Sequence, residues 1–327
     1  MKTAIKWLHD VRATKETINK SMGCYRIRKG EVRAANGYMV AAHPWKGGAN
    51  VVVNSEAFDK VLSRVPDDED LKLSFTAKSA VIKSGGFNAN IPTSDPKDWT
   101  FPEPDEAKPW KNIPEGLLSA FEMVRPFVLT TSDKLIWSRC VYLCGGAVYS
   151  TNNIVAVRST IGDTTLARVD ALIPYWVVDF VLKHEGATTW KLTDRSISFR
   201  WNNGAWVWAS LVDEKYPGVA KMLTDREKQT TKTKVTPEYR AAVKRMAGLI
   251  DTSLSLHVDS MGGRYGETTV KEDIGSTVPK DKTATLWDAE ELSKVLAVAD
   301  EWGPEFFPNP VAFRGKNLFG LIAGRTV

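Results

Sequence analysis

The residues with the greatest potential for chemistry are scattered along this 327-residue chain. The four histidines, His9, His43, His184 and His257, stand in different settings, and no phosphate-binding loop, dinucleotide fingerprint, nucleophile elbow or paired-histidine metal motif occurs. The acidic run 67–70 lies between a predicted helix and a predicted strand, which favours a solvated turn over a metal site. The sequence therefore predicts a binding protein with no catalytic residue, metal or cofactor.

The three cysteines, Cys24, Cys140 and Cys144, are too few and too uneven for a disulfide framework. Cys140 and Cys144 share an apolar run without a neighbouring histidine. This setting favours buried structural thiols over a metal site, because a free cysteine packs as a small hydrophobe.

Basic side chains group on two predicted helices, over residues 4–13 and 237–250. The cations around these helices that face away from the apolar stripe are Lys2, Lys6, Arg240, Lys244 and Arg245. Lysine and arginine beside small side chains suit contact with phosphates without reading base sequence. An ordinary solvated surface is the alternative, because a net charge of +5 permits a polyanionic partner without requiring one.

The elements that would position these side chains recur three times. Three helix patterns carry apolar residues at i, i+3 and i+4, namely Phe58/Val61/Leu62, Val177/Phe180/Val181 and Leu292/Val295/Leu296. Each third of the chain also opens with a helix, predicted over 4–13, 114–124 and 237–250, and alternating strands with glycine or asparagine turns follow.

Polar or proline-rich linkers over 92–114 and 224–236 separate the thirds. The pattern predicts an α+β protein with two helices packed on antiparallel sheets in each of three domains, 1–108, 109–224 and 225–327. A single large α+β protein with accidental periodicity is the alternative.

The end of the middle third carries the sequence Leu211-Val-Asp-Glu-Lys-Tyr-Pro217, followed by Val219-Ala-Lys-Met-Leu223. This segment resembles the end of the middle domain in bacterial β sliding clamps, the processivity subunits of DNA polymerase III. Ser150-Thr-Asn-Asn-Ile-Val-Ala-Val157 is similar to a strand end of the same family, and 33–40 matches it in the first third. The outer thirds match in layout more than in residues, which suits a divergent member such as a phage-encoded one.

The resemblance implies a head-to-tail homodimer whose six domains close a ring around duplex DNA, independently of base sequence. Lys6, Arg240, Lys244 and Arg245 are then expected to line the channel. Lys2 shares the face of Lys6, and Lys20, Arg26 and Arg28, which follow the first helix, are expected to touch DNA at its rim.

The resemblance also implies a pocket that binds short peptides of a DNA polymerase and a clamp loader. Its expected wall is Trp137, Thr151, Val155, Pro217, Lys221, Met222, Leu321, Ala323 and Gly324. The chain departs from the family in the shortened Asn152-Asn153 turn and in its tail, so we expect a reshaped pocket.

A structural protein of a virion, built from repeated α+β units, is a second hypothesis, and an enzyme acting on nucleic acid is a third. No run of about 18 apolar residues and no signal peptide is apparent. The sequence therefore predicts a cytoplasmic protein without a membrane partner.

Overall fold

The structure is a computed structural model that describes residues 1–13, 20–66, 71–131, 135–229, 231–257, 260–273 and 285–325, with the backbone alone for Lys20. The acidic run 67–70 lies outside the described residues, so its turn stays a prediction.

Seven α-helices occur in the described part of the chain. They are α1 (Lys2–Leu8), α2 (Ser55–Leu62), α3 (Leu117–Val124), α4 (Tyr175–Lys183), α5 (Val219–Arg226), α6 (Pro237–Ala247) and α7 (Ala289–Val298). Side-chain caps define several starts, since Asn54, Thr236 and Asp288 accept hydrogen bonds from the first turns of α2, α6 and α7. Helix α3 begins three residues later than predicted, because Gly116 before it has a φ of 84°, in the left-handed region.

The described strands number twenty-three. In the first half of the chain they are β1 (Cys24–Arg28), β2 (Glu31–Ala35), β3 (Met39–Pro44), β4 (Asn50–Asn54), β5 (Lys72–Phe75), β6 (Ser79–Ser84), β7 (Phe87–Ser94), β8 (Lys111–Asn112), β9 (Cys140–Cys144), β10 (Ala147–Thr151) and β11 (Val155–Thr160). The remainder are β12 (Asp170–Pro174), β13 (Ala187–Leu192), β14 (Ser196–Trp201), β15 (Trp206–Ser210), β16 (Thr233–Lys234), β17 (Ser253–Leu256), β18 (Met261–Tyr265), β19 (Thr268–Glu272), β20 (Thr285–Asp288), β21 (Glu301–Trp302), β22 (Val311–Gly315) and β23 (Leu318–Ile322).

The same order of elements occurs three times: a helix, four strands, a second helix and three strands. The repeats run from α1 to β7, from α3 to β15 and from α6 to β23, while β8, α5 and β16 lie in the predicted linkers or beside them. Every strand pair is antiparallel. The predicted α+β class with two helices per repeat is confirmed.

Contacts divide the chain into two compact units, each built from two segments. Unit 1 comprises residues 1–113 and 176–211, and unit 2 comprises 114–175 and 212–327. The three-domain division in chain order stays a prediction based on the repeat.

Unit 1 is organised around one sheet with the strand order β5-β6-β7-β4-β1-β2-β3-β15-β14-β13-β8. Helices α1 and α2 contact one side, which we call the helix face. On the other side Trp99 and Phe101 pack against Ala35 and Trp206, and because these two residues come from the connector after β7 we call this side the connector face.

Unit 2 contains an eight-stranded sheet, β12-β9-β10-β11-β23-β22-β21-β16, and a four-stranded sheet, β19-β18-β17-β20. Helix α3 contacts β10 and β11 on one side of the larger sheet, which is the helix face of unit 2. Helix α5, in the connector after β15, contacts β10, β11 and β23 on the other side, which is the connector face of unit 2. None of the described helices is long and apolar enough to cross a membrane.

Candidate nucleic-acid and peptide interfaces

Two of the predicted phosphate-binding cations donate to backbone carbonyls. The ammonium of Lys2 donates to the carbonyls of Val65 and Pro66, just beyond the end of α2. The guanidinium of Arg240 donates to the carbonyls of Leu296 (2.6 Å) and Ala299 (2.9 Å) at the end of α7. Since unpaired carbonyls carry the negative end of a helix dipole, Arg240 stabilises the end of α7, while Lys2 ties α1 to the segment that follows α2.

Lys6 lies instead in a cleft of about 1570 Å³ within unit 1. The cleft brings together cations from three helices, namely Lys6 of α1, Lys60 of α2 and Lys183 of α4. Sequence reasoning missed Lys60 and Lys183 because it examined charge only on the helix that opens each repeat. The basic residue in the last turn of α2 and of α4 was the available signal.

One wall of this cleft is held by ionic and hydroxyl contacts to Asp59. Its Oδ2 lies 3.1 Å from Nε of Arg12 and accepts a hydrogen bond of 3.0 Å from the Tyr25 hydroxyl. Burial raises the pKa of the Asp59 carboxyl, although Tyr25 and Arg12 act in the opposite direction. The contacts fix α2 against β1, and thereby place Lys60.

The opposite wall is an aromatic box around Trp7. The ring of Trp7 lies 4.8 Å from that of Phe180, 5.1 Å from that of Trp201 and 5.1 Å from that of His184. Beside the box, Lys183 donates to Asp10 at 2.5 Å. Although burial acts to raise it, the pKa of Asp10 is lowered by the hydrogen bond and charge of Lys183. Packing and charge together hold α1, and therefore Lys6, against α4.

Arg26 and Arg28 do not share a face with Lys6. Tyr25, which precedes Arg26 in β1, contacts Phe58 of α2 and therefore points to the helix face. Because side chains alternate along a strand, Arg26 and Arg28 point to the connector face. There Arg28 lies 3.3 Å from a carboxylate oxygen of Glu31. Their expected contact with DNA at the rim of the channel stays a prediction, and the side chain of Lys20 lies outside the described residues.

In the third repeat, Arg245 forms an ion pair with Glu272. Lys244 is exposed and forms no ion pair with a described residue. Among the predicted helix-borne cations, Lys6 and Lys244 are thus the two whose charge the described fold leaves unneutralised.

The predicted peptide pocket lies on the connector face of unit 2. Tyr216, at the entry to α5, stacks on Tyr142 with ring centroids 4.5 Å apart, and its ring centroid lies 6.0 Å from that of Trp137. Burial raises the pKa of Tyr216, so the phenol stays neutral. Leu321 of β23 belongs to the same apolar cluster.

Polar and exposed residues form the rim. Pro217 is half-buried, and Lys221 and Met222 are exposed on α5, with Met222 at 40%. The Thr151 hydroxyl donates to the carbonyl of Val155 at 2.7 Å. The structure therefore brings Trp137, Thr151, Pro217 and Leu321 to one side of one sheet, with α5 above them.

Three predicted pocket residues are placed differently. Val155 is fully buried and points to the helix face, because its neighbour Ala156 points to the connector face. Ala323 donates its N–H to the carbonyl of Ile154, and Gly324 is so close to Phe307 that an added Cβ would lie 2.3 Å from Cε2. Ala323 and Gly324 thus follow directly after the last pair of β11 with β23, Val155 opposite Ile322.

Two further apolar residues near Trp137 were missed by sequence reasoning. Leu135 is 36% exposed and Ile136 is 45% exposed. In the sequence they form an apolar pair next to the tryptophan, and such a pair is equally typical of a buried strand and of an exposed apolar surface. In the structure these residues enter a 3₁₀ turn, Ile136–Arg139, ahead of β9.

Comparison with known proteins gives a full-length structural match. No protein-family model and no curated protein matches the chain. A DNA polymerase sliding clamp from Caulobacter crescentus superposes with a TM-score of 0.81 at 14% identity, covering 99% of this chain and 97% of the other.

Two further sliding clamps match over the same extent. A clamp from Bartonella birtlesii, solved bound to griselimycin, gives a TM-score of 0.82 at 12% identity and covers 99% and 96% of the two chains. The β subunit of a Streptococcus pyogenes DNA polymerase gives 0.77 at 14% identity, covering 99% and 97%. The chain has the fold of the bacterial DNA polymerase III β sliding clamps.

Proposed function

We propose that the protein is a DNA sliding clamp, a non-enzymatic processivity factor that encircles duplex DNA as a homodimeric ring and tethers a polymerase. The observation that best supports this proposal is the repeat of helices and strands, which occurs three times along the chain, together with the full-length match to sliding clamps. Three repeats supply half of a six-domain ring, so two copies are needed to enclose DNA.

The helix-borne cations support sequence-independent contact with DNA. Lys6, Lys60, Lys183 and Lys244 project from helices, where they can approach phosphates without reading base edges. A ring retains DNA by topology, so a small number of weak phosphate contacts is compatible with sliding. Arg26 and Arg28, which lie on the connector face, are proposed to contact DNA at the rim and not inside the channel.

The connector face of unit 2 is the proposed site for peptides of a polymerase and a clamp loader. Met222, Leu135 and Ile136 leave apolar surface exposed beside the buried Tyr216. Exposed apolar surface near a rigid aromatic base is characteristic of peptide-binding grooves. Griselimycin is bound in the structure of the B. birtlesii clamp, and we propose that it binds this chain at the same surface.

The test of the ring is topological. The protein is mixed with covalently closed plasmid, its subunits are joined with a bifunctional crosslinker, and the DNA is washed at high salt. We expect retention on the circular plasmid and release when a restriction enzyme linearises it.

A matched triple variant, Lys6→Ala with Lys60→Ala and Lys244→Ala, should reduce the amount captured before crosslinking and weaken the salt dependence of capture. Equal retention on circular and linear DNA, or retention on neither, would contradict the proposed function.

A further inference from the structure

The aromatic box of unit 1 and a cavity of unit 2 occupy equivalent places in two repeats. In unit 1 the box also includes His43, whose ring lies 5.5 Å from that of Trp7. In unit 2 a cavity of about 610 Å³ lies between α3, the segment that follows β11 and the turn between β22 and β23. Two local features of the repeat show which residues of the box and the cavity correspond.

A capped turn aligns β3 with β11. The side-chain oxygens of Asn36 and Asn152 each accept a hydrogen bond from the backbone N–H three residues later. His43 and Ser159 each stand seven residues after this asparagine, within the strand that follows the turn. Ser159 is therefore the counterpart of His43.

The buried residues of the opening helices align α1 with α3. Leu8 and Phe121 are fully buried, and each is followed three residues later by a fully buried valine. Both helices also contact the second and third strands of their own repeat. Ala120, directly before Phe121, is therefore the counterpart of Trp7, directly before Leu8.

Unit 2 thus has two small side chains where unit 1 has two rings. Ala120 and Ser159 line the same cavity, just as Trp7 and His43 share one box, which supports both alignments. Protein interiors are close-packed, so the smaller side chains leave a space that a ring can fill. Cavities of about 300–1,000 Å³ are typical of sites for small molecules.

The floor of the cavity is buried and contains a hydroxyl that can bind a ligand. Ala120, Ser159 and Ile161 form this floor, and Ser159 is only 2% exposed. Its hydroxyl forms no hydrogen bond with any residue that the structure describes. Because an unpaired buried hydroxyl costs free energy, a ligand that donates an N–H to it gains affinity.

The rim of the cavity carries charges of both signs. Glu115 and Lys316 are exposed there, and neither forms an ion pair within the described ranges. A second carboxylate, Asp163, accepts a hydrogen bond of 2.7 Å from the backbone N–H of Thr165, and this bond lowers its pKa. Glu115 and Lys316 are therefore the two charges available to a ligand.

We propose that this cavity binds a free aromatic amino acid of the size of tryptophan, with its ring packed between Ala120 and Ser159. The ring takes the place of the indole that α1 supplies in unit 1, and its N–H donates to the Ser159 hydroxyl. The ammonium of the ligand pairs with Glu115, and its carboxylate pairs with Lys316. A tryptophan side chain of a partner protein would fit the floor but leave both rim charges unpaired.

Calorimetry with three probes tests the class of ligand. The full chain is titrated with L-tryptophan, with N-acetyltryptophanamide, which imitates a tryptophan inside a protein, and with indole. We expect L-tryptophan to bind at least about threefold more tightly than the other two, because it alone can pair with both rim charges. Equal or tighter binding of the amide would assign the cavity to a partner protein and overturn the proposal. Absence of binding by all three would overturn the site itself.

A charge variant tests the rim. Glu115→Gln with Lys316→Gln should remove the preference for L-tryptophan over the amide, while the affinity for indole stays unchanged because the floor is intact. A preference of undiminished size in this variant would overturn the assignment of the two rim charges.

Two separate variants rebuild the box of unit 1 in unit 2. Ala120→Trp copies Trp7, and Ser159→His copies His43, so each should weaken the binding of L-tryptophan at least about tenfold by occupying the floor. Circular dichroism checks that each variant is folded, and the second serves if the first is not. Parental affinity in a folded variant would overturn the location of the site.

The converse variant tests the equivalence of the two places. Trp7→Ala removes the indole from the box, so indole should bind at a second site and the calorimetric stoichiometry should rise by one relative to the parent. An unchanged stoichiometry in the folded variant would overturn the correspondence between the box and the cavity. Neither result depends on DNA binding, so the site is tested independently of the proposed clamp function.

Discussion

The connector faces of the two units are formed by equivalent strands of the repeat, but they are covered in different ways. In unit 1 the cover is an extended segment whose Trp99 is 5% exposed and lies 4.8 Å from Phe101, ring to ring. In unit 2 it is the helix α5, which buries Val219 and Leu223 but leaves Met222 exposed. The same arrangement of strands is thus covered by a buried aromatic residue in one unit, whereas in the other the covering helix exposes an apolar side chain.

An arginine of the sheet holds the cover in both units. Arg33, 3% exposed, donates with both terminal nitrogens to Glu103 of the connector and lies 5.2 Å from the Trp206 ring. In unit 2, Arg158 donates to Glu227 at 2.5 Å, but both partners are more exposed. The difference indicates that the first connector is a fixed part of the core, whereas the second leaves part of its helix exposed.

The strongest way to break the comparison is Trp99→Ala. Removing a nearly buried indole should cost about 3–5 kcal/mol, because it forfeits apolar burial and leaves a cavity. Hydrogen exchange of the strands spanning 31–44 should then accelerate, as they lie under the cover. Tyr38→Ala, at a 59% exposed aromatic of the same unit, is the control and should cost about 1 kcal/mol or less. Similar losses for the two variants would show that the cover of unit 1 is not core.

The ion pairs give the next largest difference. Glu103→Gln should lower the free energy of unfolding by about 1.5–3 kcal/mol, because it weakens a charge-assisted bond to the buried Arg33. The matched variant Glu227→Gln should cost only about 0.2–1 kcal/mol, since solvent screens its pair. Chemical denaturation, followed unit by unit with hydrogen exchange, measures both. A larger loss for Glu227→Gln would reverse the proposed ranking.

The same pairs predict the direction of a pH dependence. Their hydrogen bonds to arginine lower the pKa of Glu103 and of Glu227 below the ordinary value of a glutamate. A lowered folded-state pKa stabilises the protein above the unfolded value, and the stabilisation is lost as pH falls through the folded value. In Glu103→Gln this part of the acid sensitivity should disappear.

Much of the fold was accessible from the sequence, because helix periodicity and turn residues are local signals. The triad Leu292/Val295/Leu296 correctly marked α7, and the α+β repeat followed from three such patterns. The division into two compact units was not accessible, since the pairing of β3 with β15 joins residues more than 160 positions apart. Such pairings depend on edges that no local pattern specifies.

The candidate sites were predictable to a smaller extent. A helical wheel placed Lys6 on a polar face correctly, but it could not show that Lys2 and Arg240 donate to backbone carbonyls near the ends of neighbouring helices. Resemblance to a family located Trp137 in the apolar cluster under α5, yet it did not show that Val155 points to the opposite face of the sheet. The group that a lysine or arginine side chain contacts depends on the tertiary structure, and the spacing of residues along the sequence does not reveal it.

The smallest effect on stability, and the sharpest on binding, is expected from Met222→Ala. The side chain is 40% exposed, so its removal should change the free energy of unfolding by no more than about 0.5 kcal/mol. If α5 presents a partner surface, the variant should bind griselimycin at least about fivefold more weakly in calorimetry, since it loses apolar contact at the pocket rim. Phe87→Ala, at an equally exposed apolar residue of unit 1, should leave that affinity unchanged. Equal affinities for all three proteins would place the binding surface elsewhere and remove the functional contrast between the two connectors.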